Sequence, residues 1–282
     1  MSRQGWDRAL HDGRIRLNGR IVKKGGAEVP AGTEISVDLP PLGLQVGETA
    51  PPLVWASPAR DLAVFNKPPG IDTYPLFPWE NGTLANGLAR FVEQEGWMKP
   101  TEFAALSAPP ILEGGLLQRL DRDTSGLVCS AFTPAAKLKY RQAFSGAAKK
   151  GYLALVDGNF SRGAGPHRIY FGGGDQARVR TELSEKPGYQ AAELTVRVLA
   201  EGAAATLVEV ETSQGLRHVV RAGLAALGSP LVGDALYEGS GAAPFHQLHA
   251  HRILLPGFDQ FYVAPPESFL GYAAGLGVNY SP

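Results

Sequence analysis

The chain has a single cysteine, Cys129, so no internal disulfide can brace it, and no Cys or His stands at a zinc-ligand spacing. Long apolar runs are missing too. None approaches the roughly 18 residues that a spanning helix needs, and the opening MSRQGWDRAL lacks the apolar core of a secretory signal. These absences argue against membrane insertion and for a reducing, cytoplasmic setting. An excess of one charge is also absent, because 27 Lys and Arg balance 27 Asp and Glu, which argues against a uniformly basic nucleic-acid binder. The charge is nevertheless unevenly spread. Residues 1–24 hold Arg3, Arg8, Arg14, Arg16, Arg20, Lys23 and Lys24 against only Asp7 and Asp12. A basic head on a mildly acidic body suits phosphate contacts at one end, with Arg14, Arg16, Lys23 and Lys24 as candidates; the alternative is a solvated face with no partner.

Residues 1–40 read as a small basic module. A short helix near Ala9 leads into two β-rich runs, GRIRLNGRIV and TEISVDLP, separated by the turn-rich KKGGAEVPAG. Residues 41–52, rich in Pro and Gly, read as a linker, and residues 53–282 as the main domain. There, LAVFN is an apolar strand ended by Pro68-Pro69-Gly70, with an irregular loop to Pro78. TLANGLARFVEQEG has helical spacing and stops at Gly96. GLVCSAFT is a strand, after which Thr133 caps a helix with Pro134 in first position and Ala136, Tyr140, Phe144 and Ala147 as its buried stripe. GYLALVDG, AELTVRVL, ATLVEVET and QLHAHRILL are further strands, and LRHVVRAGLAALG is a helix running from Leu216 to Gly228. Strands outnumber helices and often adjoin in sequence, which predicts an α+β fold with a mostly antiparallel sheet.

LLQRLDRDTSGLVCSAFT sets four charges, Arg119, Asp121, Arg122 and Asp123, between two apolar runs. Asp121 follows an apolar segment, read as a strand, and precedes a small-residue turn, so a rigid element holds its carboxylate. Asp123-Thr124-Ser125-Gly126 can build a turn with its own side chains. Asp121 has no such structural task, although Asp-rich turns are common in their own right.

The stretch resembles the HRLD signature of the RluA-type pseudouridine synthases, and four further blocks resemble that family in the same order: VFNKPPGI, KKGYLALVDG, HVVRAGLAALGSPLVGDALYEG and QLHAHRILLP. The likeness extends from Pro52 to Phe269. It implies an antiparallel mixed sheet crossed by a catalytic cleft. It also implies an RNA isomerase that turns uridine into its C-glycoside with no metal, nucleotide or redox cofactor. By this resemblance Asp121 is the nucleophile, on either the anomeric carbon or the uracil ring. Arg221 is its cationic partner, and Tyr152 stacks on the base and serves proton transfer. Leu248 packs under the base, Arg119 fills the space left by the flipped nucleotide, and Lys67 contacts phosphate. Otherwise Tyr152 and Leu248 read as core, and Lys67 and Arg221 as surface charges. The N-terminal ALHDGRIRLNGRIVKKGGAEVPAGTEISV resembles the later part of an RNA-binding module of ribosomal-protein-S-four type, with its opening helix shortened.

Gln118, Leu216, Val219 and Gly223 depart from the family pattern, at positions that support the fold or touch RNA. The resemblance implies RNA as the partner, and the N-terminal module favours ribosomal RNA, with tRNA close behind; a monomer is expected. His218, His246, His249 and His251 read as structural or RNA-contacting, and Cys129 as a small buried hydrophobe. Two rivals remain. One is an RNA-binding or assembly protein that kept the fold and lost activity, for which the four departures speak. The other is a carboxylate-based nucleoside hydrolase, which lacks a second carboxylate placed as a partner.

Overall fold

The computed structural model describes residues 3–26, 28–38, 43–77, 79–107, 111–173 and 177–281. Leu39 and Pro40 of the second expected β-rich run, residues 41 and 42 of the expected linker, and Pro78 fall outside them. Helix α1 (Arg3–His11) leads into strands β1 (Ile15–Leu17), β2 (Arg20–Val22) and β3 (Ile35–Val37), an antiparallel sheet in the order β2-β1-β3. GRIRLNGRIV is thus a hairpin in itself. Asn18 and Gly19 take positive φ, 46° and 76°, as the tight turns that match strand twist require. The small sheet does not stand off in solvent. Ala9 and Ile15 pack with Trp79, whose indole N–H donates to Asp12 Oδ2 at 3.0 Å.

The main sheet is built from β4 (Leu53–Ala56), β5 (Leu62–Lys67), β6 (Ser125–Ala131), β7 (Lys149–Asp157), β8 (Gly165–Gly172), β9 (Arg180–Glu182), β10 (Gln190–Glu201), β11 (Ala205–Thr212), β12 (Leu248–Leu254) and β13 (Gln260–Tyr262). Their order is β4-β5-β6-β12-β7-β11-β10-β8-β9, with β13 on the far part of β12. The expected α+β fold is therefore observed. Among the described residues only β6 and β12 pair in parallel, Ser125 facing His249 and Gly126 facing Ala250.

Alternation along the strands sorts the core onto two faces. On β7, Tyr152, Ala154 and Val156 join a large apolar cluster with α2 (Leu84–Gln94) and α5 (Val219–Ala226). Leu153 and Leu155 point the other way, toward α6 (Glu267–Gly275), while α4 (Pro134–Phe144) covers Leu62, Val64 and Leu127 on that second face. A short α3 (Pro100–Ala105) adds Phe103 to the first cluster. Among the described residues no helix is long and apolar enough to cross a membrane.

Two helix boundaries differ from the periodicity. Thr133 accepts from Ala136 N at 3.1 Å, as its position predicts, but α4 ends at Phe144, so Ala147 is exposed and Ala148 is buried instead. Helix α5 starts at Val219 and not Leu216, because His218 has φ 54°, a left-handed backbone through which no right-handed helix continues.

The parallel pair forces close approach. Gly126 has φ +114°, and an added Cβ would lie 2.2 Å from Ala250 O. Backbone strain and overpacking together predict that Gly126→Ala loses about 2–6 kcal/mol. Urea unfolding of the two proteins measures it, and an unchanged midpoint would mean that the β6–β12 contact can open without penalty.

Candidate active site

Asp121 sits where the chain reverses. Leu116–Leu120, expected as a strand, forms no regular strand; it makes an isolated bridge, Leu116 to Ser130, and a hydrogen bond from Leu117 N to Cys129 O at 3.0 Å. The regular strand, β6, follows the carboxylate. Between the two, Thr124 N donates to Asp121 O at 3.1 Å and closes the turn.

Buried polar groups hold this turn from every side. Thr73 Oγ1 donates to Leu120 O at 2.6 Å and accepts from Leu120 N at 3.1 Å. Thr124 Oγ1 lies 2.8 Å from His246 Nε2, and Ser125 Oγ lies 2.8 Å from His249 Nδ1. His249 Nε2 faces the Val263 carbonyl at 3.1 Å; a carbonyl only accepts, so Nε2 carries the proton and Nδ1 accepts from Ser125. Burial pushes both His246 and His249 down to about 4, so each is neutral at pH 7. From beneath, Lys67 Nζ donates to Arg122 O, Ile71 O and Pro68 O at 2.8, 2.8 and 2.9 Å.

The carboxylate opens into a cleft of about 600 Å³ whose walls include Tyr152, Arg221, Leu248, His218 and Arg119. Arg221 Nη1 donates to Asp121 Oδ2 at 2.9 Å. Its Nε and Nη2 grip Asp234 at 2.7 and 2.8 Å, and the Tyr237 ring lies 5.4 Å from its Cζ. The Asp234 side chain is 1% exposed against 20% for Asp121, so one carboxylate anchors the guanidinium and the other stays reachable.

Burial raises the pKa of Asp121, but His218, the Arg221 hydrogen bond and charge, and His246 together outweigh it and hold the carboxyl below 3.8. His218 is itself pushed below its ordinary 6.5 by burial, so at neutral pH the charge that stays beside Asp121 is that of Arg221. His218 Nε2 lies 3.8 Å from Asp121 Oδ1 and Nδ1 lies 2.9 Å from Tyr237 Oη. The Tyr237 hydroxyl also accepts from Val179 N at 3.0 Å, which fixes the ring against which His218 rests. Burial, then the Asp121 charge, raises the pKa of Tyr152 well above 10, so its phenol is protonated at pH 7.

Asp121, Tyr152, Arg221, Leu248 and Arg119 thus converge on one cleft. Arg119 is exposed at its mouth, its Cζ 5.6 Å from the Tyr74 ring and its Nη1 3.3 Å from Tyr74 Oη. Lys67 is a correction: it is fully buried, and its three ammonium donors meet three carbonyls, so it fastens the turn and does not meet phosphate. Arg14 is half-buried at the foot of the small sheet. It lies 5.4 Å from the Trp79 ring and donates to Asp38 O within the small sheet at 3.4 Å, whereas Arg16, Lys23 and Lys24 are exposed. Of the departures from the family pattern, Gln118, Leu216 and Val219 line the cleft. Gly223 is explained by packing, since an added Cβ would stand 2.4 Å from Leu194 Cδ1. Among the described residues no group of His, Cys, Asp or Glu could hold a metal ion.

Sequence reasoning missed Asp234 and Tyr237. The signal was present in VGDALY, where a lone carboxylate stands among glycine and apolar residues and so must find a buried partner. It also named only Arg119 and Arg221 among the cations of the cleft. Arg119, Arg141, Lys150, Arg217 and Arg221 line the cleft around the single acid Asp121.

The fold has solved counterparts. A human RNA pseudouridylate synthase domain containing 4 superposes with a TM-score of 0.64 at 18% identity, over 82% of this chain and 95% of that one, which places the fold in the pseudouridine synthase class. The RNA pseudouridylate synthase family model matches residues 61–226, and the chain belongs to that family. Ribosomal large subunit pseudouridine synthase D of Yersinia pestis is 26% identical over 256 residues, covering 88% of this chain and 72% of the relative. An uncharacterised RNA pseudouridine synthase of Bacillus subtilis is 31% identical over 209 residues, covering 72% and 64%. Asp121, Tyr152 and Arg221 lie inside the matched region, while Asp234 and Leu248 lie beyond it.

The shared guanidinium predicts two opposite shifts. Arg221→Ala should raise the pKa of Asp121 and move the acid limb of the pH–rate profile up, while stability falls by about 3–5 kcal/mol because Asp234 is left buried and unpaired. Asp234→Asn should lower that pKa and move the limb down, since one negative charge disappears and the cation is left to Asp121. Shifts of the same sign in both variants would refute the sharing.

Proposed function

We propose that this pseudouridine synthase isomerises uridine in ribosomal RNA as a cytoplasmic monomer, with Asp121 as its nucleophile. The observation that carries the reading is the ionised, partly reachable Asp121 carboxylate fastened to Arg221 in a cleft with Tyr152 and Leu248. An Asp-rich turn serving structure alone would not need a second carboxylate to position its cation. Preference for ribosomal RNA is supported by the name of the Yersinia relative, with tRNA as the second candidate.

In the reaction the uracil N1–C1′ bond breaks, the base turns, and a C5–C1′ bond forms. The C5 proton leaves to solvent and N1 gains one, so the isomer has the same composition. Asp121 forms a transient bond to the anomeric carbon or to the ring and leaves again as carboxylate. Arg221 keeps it ionised between these steps. Tyr152, as a neutral phenol, offers a ring face for stacking and an O–H to donate. Arg119, at the mouth, has a planar guanidinium that can occupy the gap left when the nucleotide leaves its stack. Arg16, Lys23 and Lys24 add phosphate contacts from the small sheet.

The test is tritium release from RNA of a deletion strain labelled at uracil C5, using wild type and Asp121→Asn together. Release by the wild type and none above background by Asp121→Asn is expected. If neither releases tritium while RNA is still bound, the protein is a non-catalytic RNA-binding relative.

A further inference from the structure

Lys150 is a buried cation without a counter-charge. It lies on β7 two residues before Tyr152, about 7 Å along the strand, and lines the same cleft. Its residue is 5% exposed, and its ammonium donates to Ser213 O at 2.7 Å, one acceptor for three donors. Among the described residues no carboxylate forms an ion pair with it, whereas buried Lys137 pairs with Glu113 at 3.0 Å and Arg221 with two carboxylates, and Lys67, also without a carboxylate, has three carbonyl acceptors for its three donors. Burial alone pushes it down to about 8. An ammonium shut away from water is unfavourable unless an anion meets it, and here the protein supplies none. Gln214 and Ser145 line the cleft as well and add polar groups suited to an oxyanion.

We propose that Lys150 forms a phosphate subsite in the cleft, binding a phosphodiester of the RNA at or next to the nucleotide presented to Asp121. The inference rests on the reading of the cleft as an RNA site. Lys150 acts in binding and takes no part in bond breaking; its charge, uncompensated in the free protein, is neutralised when RNA arrives.

The test uses the full chain and an unmodified transcript of large-subunit ribosomal RNA. Affinity is measured directly across a series of KCl concentrations for wild type, Lys150→Met, Lys150→Gln and Lys150→Arg. A phosphate contact contributes about 0.7–0.9 to the slope of log affinity against log salt. Lys150→Met and Lys150→Gln should each lose that amount of slope, and Lys150→Arg should restore most of it. In tritium release, KM should rise for both neutral variants while the rate at saturating RNA stays within about twofold. Free Lys150→Met should unfold at a higher urea concentration than wild type at pH 7, because an uncompensated buried charge has been replaced by an apolar side chain of like length. An unchanged slope in both neutral variants would overturn the subsite. So would a loss confined to the saturating rate, or a lower unfolding midpoint for Lys150→Met. A wild type that binds RNA but releases no tritium would sink the isomerase reading while leaving the slope comparison to decide the subsite by itself.

Discussion

One guanidinium serves two carboxylates, and the arrangement of the cleft depends on it. Arg221 projects from α5, Asp121 from the turn before β6, and Asp234 from the segment after α5. A buried ion pair is a poor source of net stability, because desolvation offsets most of the attraction. Its effect here is positional. Asp234 takes two of the guanidinium donors in a fork geometry that fixes the plane of the group, so the third donor reaches Asp121 along a set direction. The guanidinium charge holds Asp121 ionised against the pull of the second carboxylate, and it meets Asp121 at one oxygen, Oδ2, which leaves Oδ1 outside the pair.

Direction on one side would achieve little if the turn could drift on the other. Three kinds of contact prevent it: a threonine bonded to both backbone groups of Leu120, two neutral histidines on the side chains after the turn, and a buried lysine gathering three carbonyls. None of these groups faces the cleft. They hold a loop carboxylate with the stiffness of a residue inside a strand, which is what a preorganised site needs. The parallel contact of Gly126 with Ala250 extends the support into the sheet itself.

Much of this was legible in the sequence. Strand alternation and helix spacing located β5, β6, β7, β10, β11 and β12 but not β4, β8, β9 or β13, because burial on one face imposes period two on strands and short or exposed strands show it weakly. The motif order located Asp121, Tyr152 and Arg221. What escaped were features that depend on three-dimensional neighbours. Lys67 read as a surface cation because a lysine beside a Pro-Pro turn is usually solvated, and nothing local announces three carbonyls converging on it. Asp234 escaped because its partner is 13 residues away, across a helix. The Asn18-Gly19 hairpin was a local signal and simply went unread. His218 delays the start of α5 to Val219 through a backbone angle that side-chain periodicity does not encode.

The stretch from Asp72 to Trp79 joins two parts of the molecule that sequence reading kept apart. Asp72, Thr73 and Tyr74 touch Arg122, Leu120 and Arg119, while Phe77 and Trp79 lie in the apolar contact with α1 and β1. Fully extended chain spans at most about 3.6 Å per residue, so the three steps from Tyr74 to Phe77 leave little slack. The small sheet is therefore on a short leash as well as a long one: besides the chain that precedes β4, its footing is tied to the residues bracing Asp121, and it cannot travel far without either letting go of Trp79 or pulling on the turn that carries that carboxylate.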